Sequence, residues 1–261
     1  MAVYAVSDIH GYMDLFLKGL EIIDFSDDDS LYVIGDAIDR GPDGIRLLNY
    51  IKDKENMDLL IGNHELLMLN SVSSRGLPFC TGQDNTLWRD YNGGNVTFEN
   101  YIDLKEEERK SLLAWLKSRL LIKSLEVNGK KFVLTHSNYL EECVNIPFSE
   151  LDYDSIWSIV WRSLFRREYG VRLDHNIYEK YEDITFVTGH VPVFKARDRY
   201  PVEVSEEEKN SLSPLFIGNL VNIDGGCAAG KLSVLNNGLL ILRLDDLEFF
   251  SVPMKDDSDN E

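Results

Sequence analysis

Three short polar motifs within the first 65 residues carry side chains that could do chemistry. They read Asp8-Ile9-His10-Gly11, Gly35-Asp36-Ala37-Ile38-Asp39-Arg40-Gly41 and Gly62-Asn63-His64-Glu65. Together they offer carboxylate, imidazole and amide groups, which suit borderline divalent metals such as Mn, Fe or Zn better than the soft metals that prefer thiolates. A carboxylate that can bridge two sets of such ligands is what a two-metal hydrolytic centre needs. The motifs therefore predict metal-assisted hydrolysis.

Two later histidines extend this donor set. His136 ends the apolar run Phe132-Val133-Leu134-Thr135, and His190 follows Phe186-Val187-Thr188-Gly189. A lone histidine at the end of a strand is often structural, but the ligands in the first motifs need partners, which favours a metal role for both. The six predicted metal ligands are Asp8, His10, Asp36, Asn63, His136 and His190.

Short strands must position the three motifs. Each motif follows an apolar run, and the runs cover residues 3–6, 31–34 and 59–61. Runs of this length, bounded by Gly and polar residues, are typical of buried strands. Apolar residues at helical spacing predict helices over 12–23 and 44–52, between the strands. This alternation predicts a βαβαβ arrangement of parallel strands, whose carboxyl ends would bring the motifs together.

The rest of the chain has weaker patterns. Strand signals fade between residues 71 and 129, and 106–122 looks helical, which predicts a mainly helical insertion at about 71–129. We expect one domain over 1–255, followed by a disordered acidic tail at 256–261. Further strands are predicted at 131–135, 184–188, 220–223, 231–235, 239–244 and 248–252, the last three of them antiparallel.

The composition excludes several classes of function. The chain has 261 residues, 44% of them hydrophobic, and a formal net charge of -18, so it offers no broad positive surface to nucleic acid or anionic membranes. No apolar stretch approaches the roughly 18 residues that a membrane span requires. Three widely separated cysteines argue against a disulfide framework, and the N-terminus shows no signal peptide. These features predict a cytoplasmic protein.

The order of the three motifs, with Asp39-Arg40-Gly41 ending the second, resembles the calcineurin-like metallophosphoesterase superfamily and, within it, the bacterial phosphoprotein phosphatase (Ser/Thr protein phosphatase) branch. Stretches at 88–101 and 222–232 also look like segments of the bacterial members. The resemblance covers nearly the whole chain. It implies an α/β fold of the metallophosphoesterase type, which is a two-sheet β-sandwich flanked by helices with a dinuclear metal site at the strand ends.

The resemblance also implies roles for individual residues. One metal would be held by Asp8, His10 and Asp36, and the other by Asp36, Asn63, His136 and His190, with Asp36 bridging. The catalytic set would be His64, which protonates the leaving oxygen, Asp39, which orients that histidine, and Arg40, which contacts the phosphoryl oxygens. The implied cofactors are two divalent ions, Mn foremost with Fe or Zn as alternatives. The implied mechanism is direct attack on phosphorus by a hydroxide that the metals hold.

A second phosphate-binding arginine is usual in the bacterial relatives, within a Trp-x-Arg segment. The corresponding stretch of this chain reads Trp161-Arg162-Ser163-Leu164-Phe165-Arg166, with an arginine one position early. We predict that Arg162 binds substrate, with Arg166 as the alternative.

The resemblance implies a metal-dependent phosphomonoesterase, a Ser/Thr or dual-specificity protein phosphatase, whose partners are phosphorylated proteins or small phosphoesters. Two alternatives stay open. The catalytic set also resembles that of symmetrical dinucleoside tetraphosphate hydrolases, and in a different class the chain could be a non-catalytic scaffold that binds phosphoproteins. The scaffold is disfavoured because every expected ligand and His64 are present.

Two other features receive no functional role. Residues 225–231 spell G-x-x-x-x-G-K, but a phosphate-binding P-loop needs Ser or Thr next and then a helix. This chain has Leu232 and a strand-like stretch there, so the match is rejected. His175 lies in a polar stretch, for which solvent exposure is the better account.

Overall fold

The computed structural model describes residues 1–79, 82–163, 167–168, 171–172, 180–199, 206–231, 233 and 236–255. Within these residues the chain forms two five-stranded sheets and one two-stranded hairpin. Helices flank the sheets, which confirms the predicted two-sheet α/β architecture.

The first sheet presents three parallel strands and carries the three N-terminal motifs. Its strands are β1 (Val3–Val6), β2 (Ser30–Ile34), β3 (Met57–Leu60), β11 (Gly238–Arg243) and β12 (Phe249–Pro253). They lie in the order β12-β11-β1-β2-β3. β1, β2 and β3 are parallel, whereas β11 and β12 are antiparallel, as the sequence predicts.

The second sheet has a similar centre of three parallel strands. Its strands are β4 (Ile122–Val127), β5 (Lys130–Thr135), β8 (Ile184–Thr188), β9 (Leu215–Ile217) and β10 (Leu220–Asn222), in the order β4-β5-β8-β10-β9. β5, β8 and β10 are parallel, and the edge strands β4 and β9 are antiparallel to their neighbours. The hairpin consists of β6 (Arg167–Glu168) and β7 (Val171–Arg172).

The helices of the described residues connect and cover these strands. They are α1 (Met13–Ile22), α2 (Gly44–Lys52), α3 (Asn63–Asn70), α4 (Gln83–Thr86), α5 (Asn95–Ile102), α6 (Glu106–Lys117), α7 (Tyr153–Trp161), α8 (Val193–Arg199) and α9 (Glu206–Lys209). A π-helical turn at Leu87–Tyr91 links α4 to the loop before α5, and short 3-10 turns lie at Glu141–Cys143, Phe148–Glu150 and Cys227–Ala229.

Helix α1 shows how the sequence anchors a helix to the first sheet. Met13, Phe16 and Leu20 recur at helical spacing, and all three side chains are buried. Gly19, also buried, lies so close to the sheet that a Cβ there would come within 2.8 Å of Cδ1 of Ile241. Burying a Phe, Met or Leu side chain contributes about 1.5–3 kcal/mol. This face therefore fixes the helix and, with it, the motif that precedes it.

The structure corrects the prediction between residues 117 and 127. The helix predicted over 106–122 ends at Lys117, and β4 occupies Ile122–Val127. Three of the six residues of β4 are polar, so its intrinsic strand signal is weak, and its pairing with β5 overrides that preference. The three-residue β9 also escaped prediction, because so short a segment shows no period. The strand predicted at 231–235 lies largely outside the described residues.

Gly35 follows β2 at the place where the two sheets approach each other. Its backbone is left-handed, with φ +75°, and a Cβ there would lie 2.6 Å from Nδ1 of His136 and 2.7 Å from Cα of Gly62. Both the conformation and the contact therefore require glycine. Gly129, in the turn between β4 and β5, has a similar φ of +77° but nothing within 4 Å of its missing Cβ.

We expect Gly35→Ala to destabilise the protein more than Gly129→Ala. The left-handed backbone penalises both variants by about 1–2 kcal/mol, and overpacking adds about 1–3 kcal/mol at Gly35 alone. Urea unfolding of the two variants measures the difference in free energy of unfolding. Equal destabilisation would show that the close approach at Gly35 relaxes without penalty.

Candidate metal centre

The carboxyl ends of the parallel strands of both sheets meet at one place, and the six predicted ligands lie there. Asp8 and His10 follow β1, Asp36 follows β2, Asn63 opens α3 after β3, His136 follows β5, and His190 lies beyond β8. Two groups of possible ligand atoms, each within 4.8 Å of one another, are His10, Asp36 and His64, and Asp36, His136 and His190. Because Asp36 belongs to both groups, it lies where a bridging carboxylate is needed.

The carboxylate of Asp36 faces three imidazoles. Its Oδ2 lies 3.4 Å from Nε2 of His136, 3.8 Å from Nε2 of His64 and 4.0 Å from Nε2 of His10. Its Oδ1 accepts the backbone N–H of His64 at 3.0 Å. Burial opposes ionisation of this carboxyl, but the charges of His136 and His64 outweigh it and hold the pKa of Asp36 well below its usual value.

Asn63 joins the third motif to the two histidines of the second sheet. Its Oδ1 lies 3.0 Å from Nε2 of His136 and 2.9 Å from Nδ1 of His190. The two imidazole rings meet edge to face, with centroids 5.1 Å apart. An amide oxygen and two imidazole nitrogens thus converge beside Asp36.

Backbone carbonyls orient two of the imidazoles. Nδ1 of His136 lies 3.0 Å from the carbonyl oxygen of Ile34, and Nδ1 of His10 lies 3.1 Å from that of Ile38. A carbonyl oxygen only accepts, so Nδ1 carries a proton in both rings, and Nε2 of the neutral ring presents its lone pair to the centre. Such contacts are the usual way in which proteins orient metal-binding histidines.

Without a metal, a proton is favoured on some of the imidazole nitrogens that face the centre. Burial opposes the charged form of His136, but the carboxylates of Asp36 and Asp8 raise its pKa to about 10. Burial and the nearby charge of His64 hold the pKa of His10 well below its usual value. To hold a metal ion, His136 would have to lose the proton on Nε2, because a ligating imidazole must be neutral.

Asp8 differs from the other predicted ligands of the first metal. Its Oδ2 accepts the hydroxyl of Ser7 and the backbone N–H of His190, the latter at 3.0 Å. Burial raises the pKa of Asp8 to about 6. Asp8 lines a cavity together with His10, Asp36, Asn63 and His190, although it lies outside the two close groups of ligand atoms. Its role as a ligand stays a prediction.

His64, which belongs to the first group, forms a buried pair with Asp39. Nδ1 of His64 lies 2.6 Å from Oδ2 of Asp39, and Asp39 is 0% exposed. A carboxylate only accepts, so Nδ1 donates to it. Burial disfavours the charged imidazole, but Asp36 and Asp39 outweigh it and raise the pKa of His64 above its usual value. The pair can therefore hold a proton on the imidazole, as a general acid requires.

The centre opens into a cavity of about 310 Å³. Arg40 and Lys195 supply cations to its lining, and Trp161 and Phe194 supply aromatic rings. Arg40 also lines an adjacent cavity of about 470 Å³. Arg40 thus lines both the cavity of the predicted metal ligands and the adjacent cavity.

The second predicted substrate arginine is not in this cavity. Arg162 is exposed just after α7, and it is not among the described residues that line either cavity. Its backbone carbonyl accepts the hydroxyl of Ser137 at 3.0 Å. The alternative, Arg166, lies outside the described residues, as do His175 and Cys80. A substrate role for Arg162 therefore stays a prediction without a supporting contact.

The donor set fits a pair of divalent ions. It combines carboxylate, imidazole and amide groups in two clusters that share one carboxylate, the arrangement that two-metal hydrolysis uses. The sequence profile of calcineurin-like phosphoesterases matches residues 1–212 of the chain. The protein belongs to this family. It is therefore a metallophosphoesterase, a hydrolase of phosphoester bonds, and the family uses two divalent metal ions.

Two relatives of this metallophosphoesterase have names that indicate different substrates. The serine/threonine-protein phosphatase 2 of Salmonella typhimurium is 28% identical over 193 residues, which cover 73% of this chain and 80% of that protein. A symmetrical bis(5'-nucleosyl)-tetraphosphatase of Nitrosospira multiformis is 29% identical over 181 residues, which cover 67% of this chain. The match spans only 58% of the length of that tetraphosphatase.

Solved structures share the fold. The cold-active protein-tyrosine phosphatase of a Shewanella species has a TM-score of 0.51 at 17% identity, covering 96% of this metallophosphoesterase and 80% of that chain. A metallophosphoesterase from Sphaerobacter thermophilus has a TM-score of 0.52 at 12% identity, covering 98% of this chain and 88% of that chain.

Among the described residues, none of the helices combines the length and apolar character that a membrane span requires.

The sequence analysis gave Glu65 no role of its own, although its carboxylate binds the backbone at the start of the second motif. Its carboxylate accepts backbone N–H groups of Asp36 and Ala37 at 2.9 Å each, and that of Gly62 at 3.0 Å. Glu65 is 0% exposed, and burial together with the charge of Asp36 raises its pKa to about 7. Its position three residues after Gly62, at the start of α3, is the signal that could have found it, because a Glu there often binds back to the helix start.

Asp224 is a second buried carboxyl that the sequence analysis did not assign to the site. It lines the same cavity, is 1% exposed, and accepts the backbone N–H of Gly226 at 2.8 Å. Burial and the charge of Asp8 raise its pKa well above the usual value. The polar segment after β10 was noted only for its resemblance to bacterial relatives.

Several of the site residues have left-handed backbones. Positive φ values from 51° to 73° occur at Asp8, His10, Asp36, Asp39, Arg40 and His190. Side chains other than glycine disfavour this region by about 1–2 kcal/mol per residue. Such strain persists only where surrounding contacts over-determine it, and it concentrates at functional sites.

We expect Glu65→Gln to lower the free energy of unfolding by about 2–4 kcal/mol, because the amide places a donor against backbone N–H groups that need an acceptor. The Mn²⁺ affinity should fall by about tenfold to hundredfold, since Glu65 holds the backbone of Asp36. Urea unfolding and titration calorimetry measure the two effects.

Glu108→Gln is the matched control. Glu108 occupies the same position at the start of α6 and accepts the backbone N–H of Lys105 at 2.7 Å, but on the exposed surface. Glu108→Gln should change the free energy of unfolding by less than about 0.5 kcal/mol and leave the Mn²⁺ affinity unchanged. Equal effects of the two substitutions would contradict the role given to Glu65.

Proposed function

We propose that this metallophosphoesterase is a protein phosphatase that hydrolyses phosphoserine and phosphothreonine esters. The observation that carries the proposal is the buried pair of His64 and Asp39, 2.6 Å apart, with His64 facing Asp36, the carboxylate shared by the two groups of possible metal ligands. An alkoxide is a poor leaving group, so its ester needs a proton donor. The raised pKa of His64 suits that role.

Two divalent ions would be held by His10, Asp36, Asn63, His136 and His190, with Asp8 at the first position. When bound, the ions supply an activated water and neutralise charge on the phosphoryl oxygens. Mn²⁺ is our first choice, with Fe or Zn as alternatives, because the donor set mixes oxygen and nitrogen.

The chain's own residues then bind and orient the ester. The guanidinium of Arg40 lines the cavity and can pair with phosphoryl oxygens through its planar fork. His64 donates a proton from Nε2 to the leaving oxygen, and Asp39 holds the opposite nitrogen and stabilises the charged ring. The exposed Arg162, just after α7, is the second arginine that we propose to contact the substrate.

The choice of protein substrate rests on the extent of similarity. The match to the Salmonella typhimurium serine/threonine-protein phosphatase 2 covers 80% of that protein, against 58% of the Nitrosospira multiformis tetraphosphatase. The presence of every proposed ligand and of His64 also favours an enzyme over a non-catalytic scaffold.

His64→Asn should reduce turnover of phosphoserine peptides by about 10²–10⁴-fold, because the leaving oxygen loses its proton donor. Metal content, measured by elemental analysis, should stay at two ions per chain. Asp36→Asn, by contrast, should strip metal as well as activity, since Asp36 belongs to both ligand groups. Full activity of His64→Asn on phosphoserine peptides would show that His64 is not the general acid.

A second candidate function is hydrolysis of symmetrical dinucleoside tetraphosphates. It is favoured by the adjacent cavity of about 470 Å³, which shares Arg40 with the centre and is also lined by Lys18 and Lys231. A polyphosphate chain carries several charges, which such cations can pair with. The tetraphosphatase of Nitrosospira multiformis is a relative of comparable identity.

Parallel assays of a phosphoserine peptide and diadenosine tetraphosphate, with Mn²⁺ present, separate the two candidates. We expect a higher kcat/KM on the peptide. Lys231→Met should lower kcat/KM for diadenosine tetraphosphate alone if the second cavity holds a polyphosphate, while Lys117→Met, on exposed α6, serves as the control. A higher kcat/KM for diadenosine tetraphosphate would replace the phosphatase proposal with the second candidate.

A further inference from the structure

The helical segment before α6 contacts the loop that carries Asp39 and Arg40 at three points. Nε1 of Trp88 donates to both carboxylate oxygens of Asp39, at 2.9 and 3.1 Å. The backbone N–H of Asp39 donates to Oγ1 of Thr97 at 2.9 Å, and that of Arg40 donates to the carbonyl oxygen of Gly93 at 3.1 Å. We call Trp88, Gly93 and Thr97 the clasp.

The two residues that the clasp holds are both in an unfavourable conformation. Asp39 and Arg40 have φ values of 73° and 70°. Their backbone N–H groups would point elsewhere in a relaxed loop, so the contacts to Thr97 and Gly93 help to keep the strained form.

The carboxylate of Asp39 also needs the clasp because it is buried. A charge that is taken out of water is stable only when hydrogen bonds replace the lost hydration. Two side chains of the described residues donate to this carboxylate, namely His64 through Nδ1 and Trp88 through Nε1. Trp88 thus limits the rotation that would otherwise leave the carboxylate turned away from His64.

Trp88 itself is fixed in place. Its indole is 0% exposed and packs edge to face against Phe98, with centroids 6.2 Å apart. A Cβ on Gly94 would come within 2.3 Å of the indole ring, so the backbone lies directly against it. Because packing already fixes the indole in one orientation, its N–H points at Asp39 without any further loss of conformational freedom.

We propose that Trp88 is a positioning residue for proton transfer, because its N–H fixes the carboxylate that orients His64. This inference rests on the proposed role of His64 as the acid. It assigns the helical segment a part in the reaction, whereas the sequence predicts only an insertion beside the site.

The test exploits the dependence of the rate on the leaving group. Phenyl phosphate has a poor leaving group that needs a proton, whereas 2,4-dinitrophenyl phosphate leaves without help. Trp88→Phe keeps an aromatic ring but removes the N–H. With Mn²⁺ bound, we expect kcat on phenyl phosphate to fall by at least about tenfold and kcat on 2,4-dinitrophenyl phosphate by less than about threefold.

Trp115→Phe is the matched control, because Trp115 lies in α6, where its ring faces the guanidinium of Arg119, and it is not among the described residues that line either cavity. It should change neither rate. Equal losses on both esters in Trp88→Phe would mean that Trp88 acts through packing alone and would overturn the proposal. Unchanged rates on both esters would overturn it as well.

A second measurement does not depend on activity, and its first part uses the wild-type protein alone. In the Zn²⁺-loaded wild-type protein, the indole N–H of Trp88, identified in the NMR spectrum by its contacts to Phe98, should exchange slowly with solvent. Its resonance should shift in Asp39→Asn, which keeps the side-chain shape but removes the charge. Fast exchange, or no shift, would overturn the proposal.

The two measurements also separate this proposal from the proposed function. If the wild-type protein with Mn²⁺ hydrolyses neither ester, the phosphatase proposal fails while the NMR result still decides whether Trp88 holds Asp39. If the wild-type protein hydrolyses both esters and Trp88→Phe shows no selective loss, the function stands and the role of Trp88 fails.

Discussion

The fold of this metallophosphoesterase depends on one buried carboxylate. Asp36 is 3% exposed and its Oδ2 lies within 4.0 Å of three imidazole nitrogens that come from separate segments of the chain. Such a charge is unfavourable in the interior unless groups of opposite charge or hydrogen-bond donors surround it. The two sheets satisfy this requirement jointly, because His136 comes from the second sheet while Asp36 comes from the first. The contacts that join the two sheets around Asp36 are therefore the same contacts that bring the predicted metal ligands together.

Around this carboxylate lies a second set of contacts that holds strained backbone in place. Glu65 accepts backbone N–H groups of Asp36 and Ala37, and Trp88 donates to the carboxylate of Asp39. Both residues are buried, and neither belongs to the two groups of possible metal ligands. Their contribution is to keep the left-handed loops in a single conformation, so that ligands and acid keep fixed positions relative to one another.

Sequence patterns predicted the parallel strands of the first sheet and the placement of the motifs at their carboxyl ends. Apolar runs bounded by glycine are strong local signals, and β1, β2 and β3 appear where those runs lie. The prediction was wrong at edge strand β4, which it did not identify as a strand. The polar residues of β4 have little local strand preference, and its pairing with β5 decides its conformation. Arg162 was selected because its segment resembles the Trp-x-Arg pattern of bacterial relatives, and such a pattern does not specify which way a side chain after a helix end will point; its substrate role stays a prediction.

The sequence by itself determined the type of chemistry, since the kinds of ligand and their positions after apolar runs are written in short motifs. It also determined that these motifs would share one edge, because parallel strands bring their carboxyl ends together. Only the tertiary structure decided that Trp88 supports Asp39 across 49 residues of chain and that Arg40 lies between two cavities. Contacts between segments far apart in the chain depend on how helices pack against loops, and no local pattern of residue types encodes that packing.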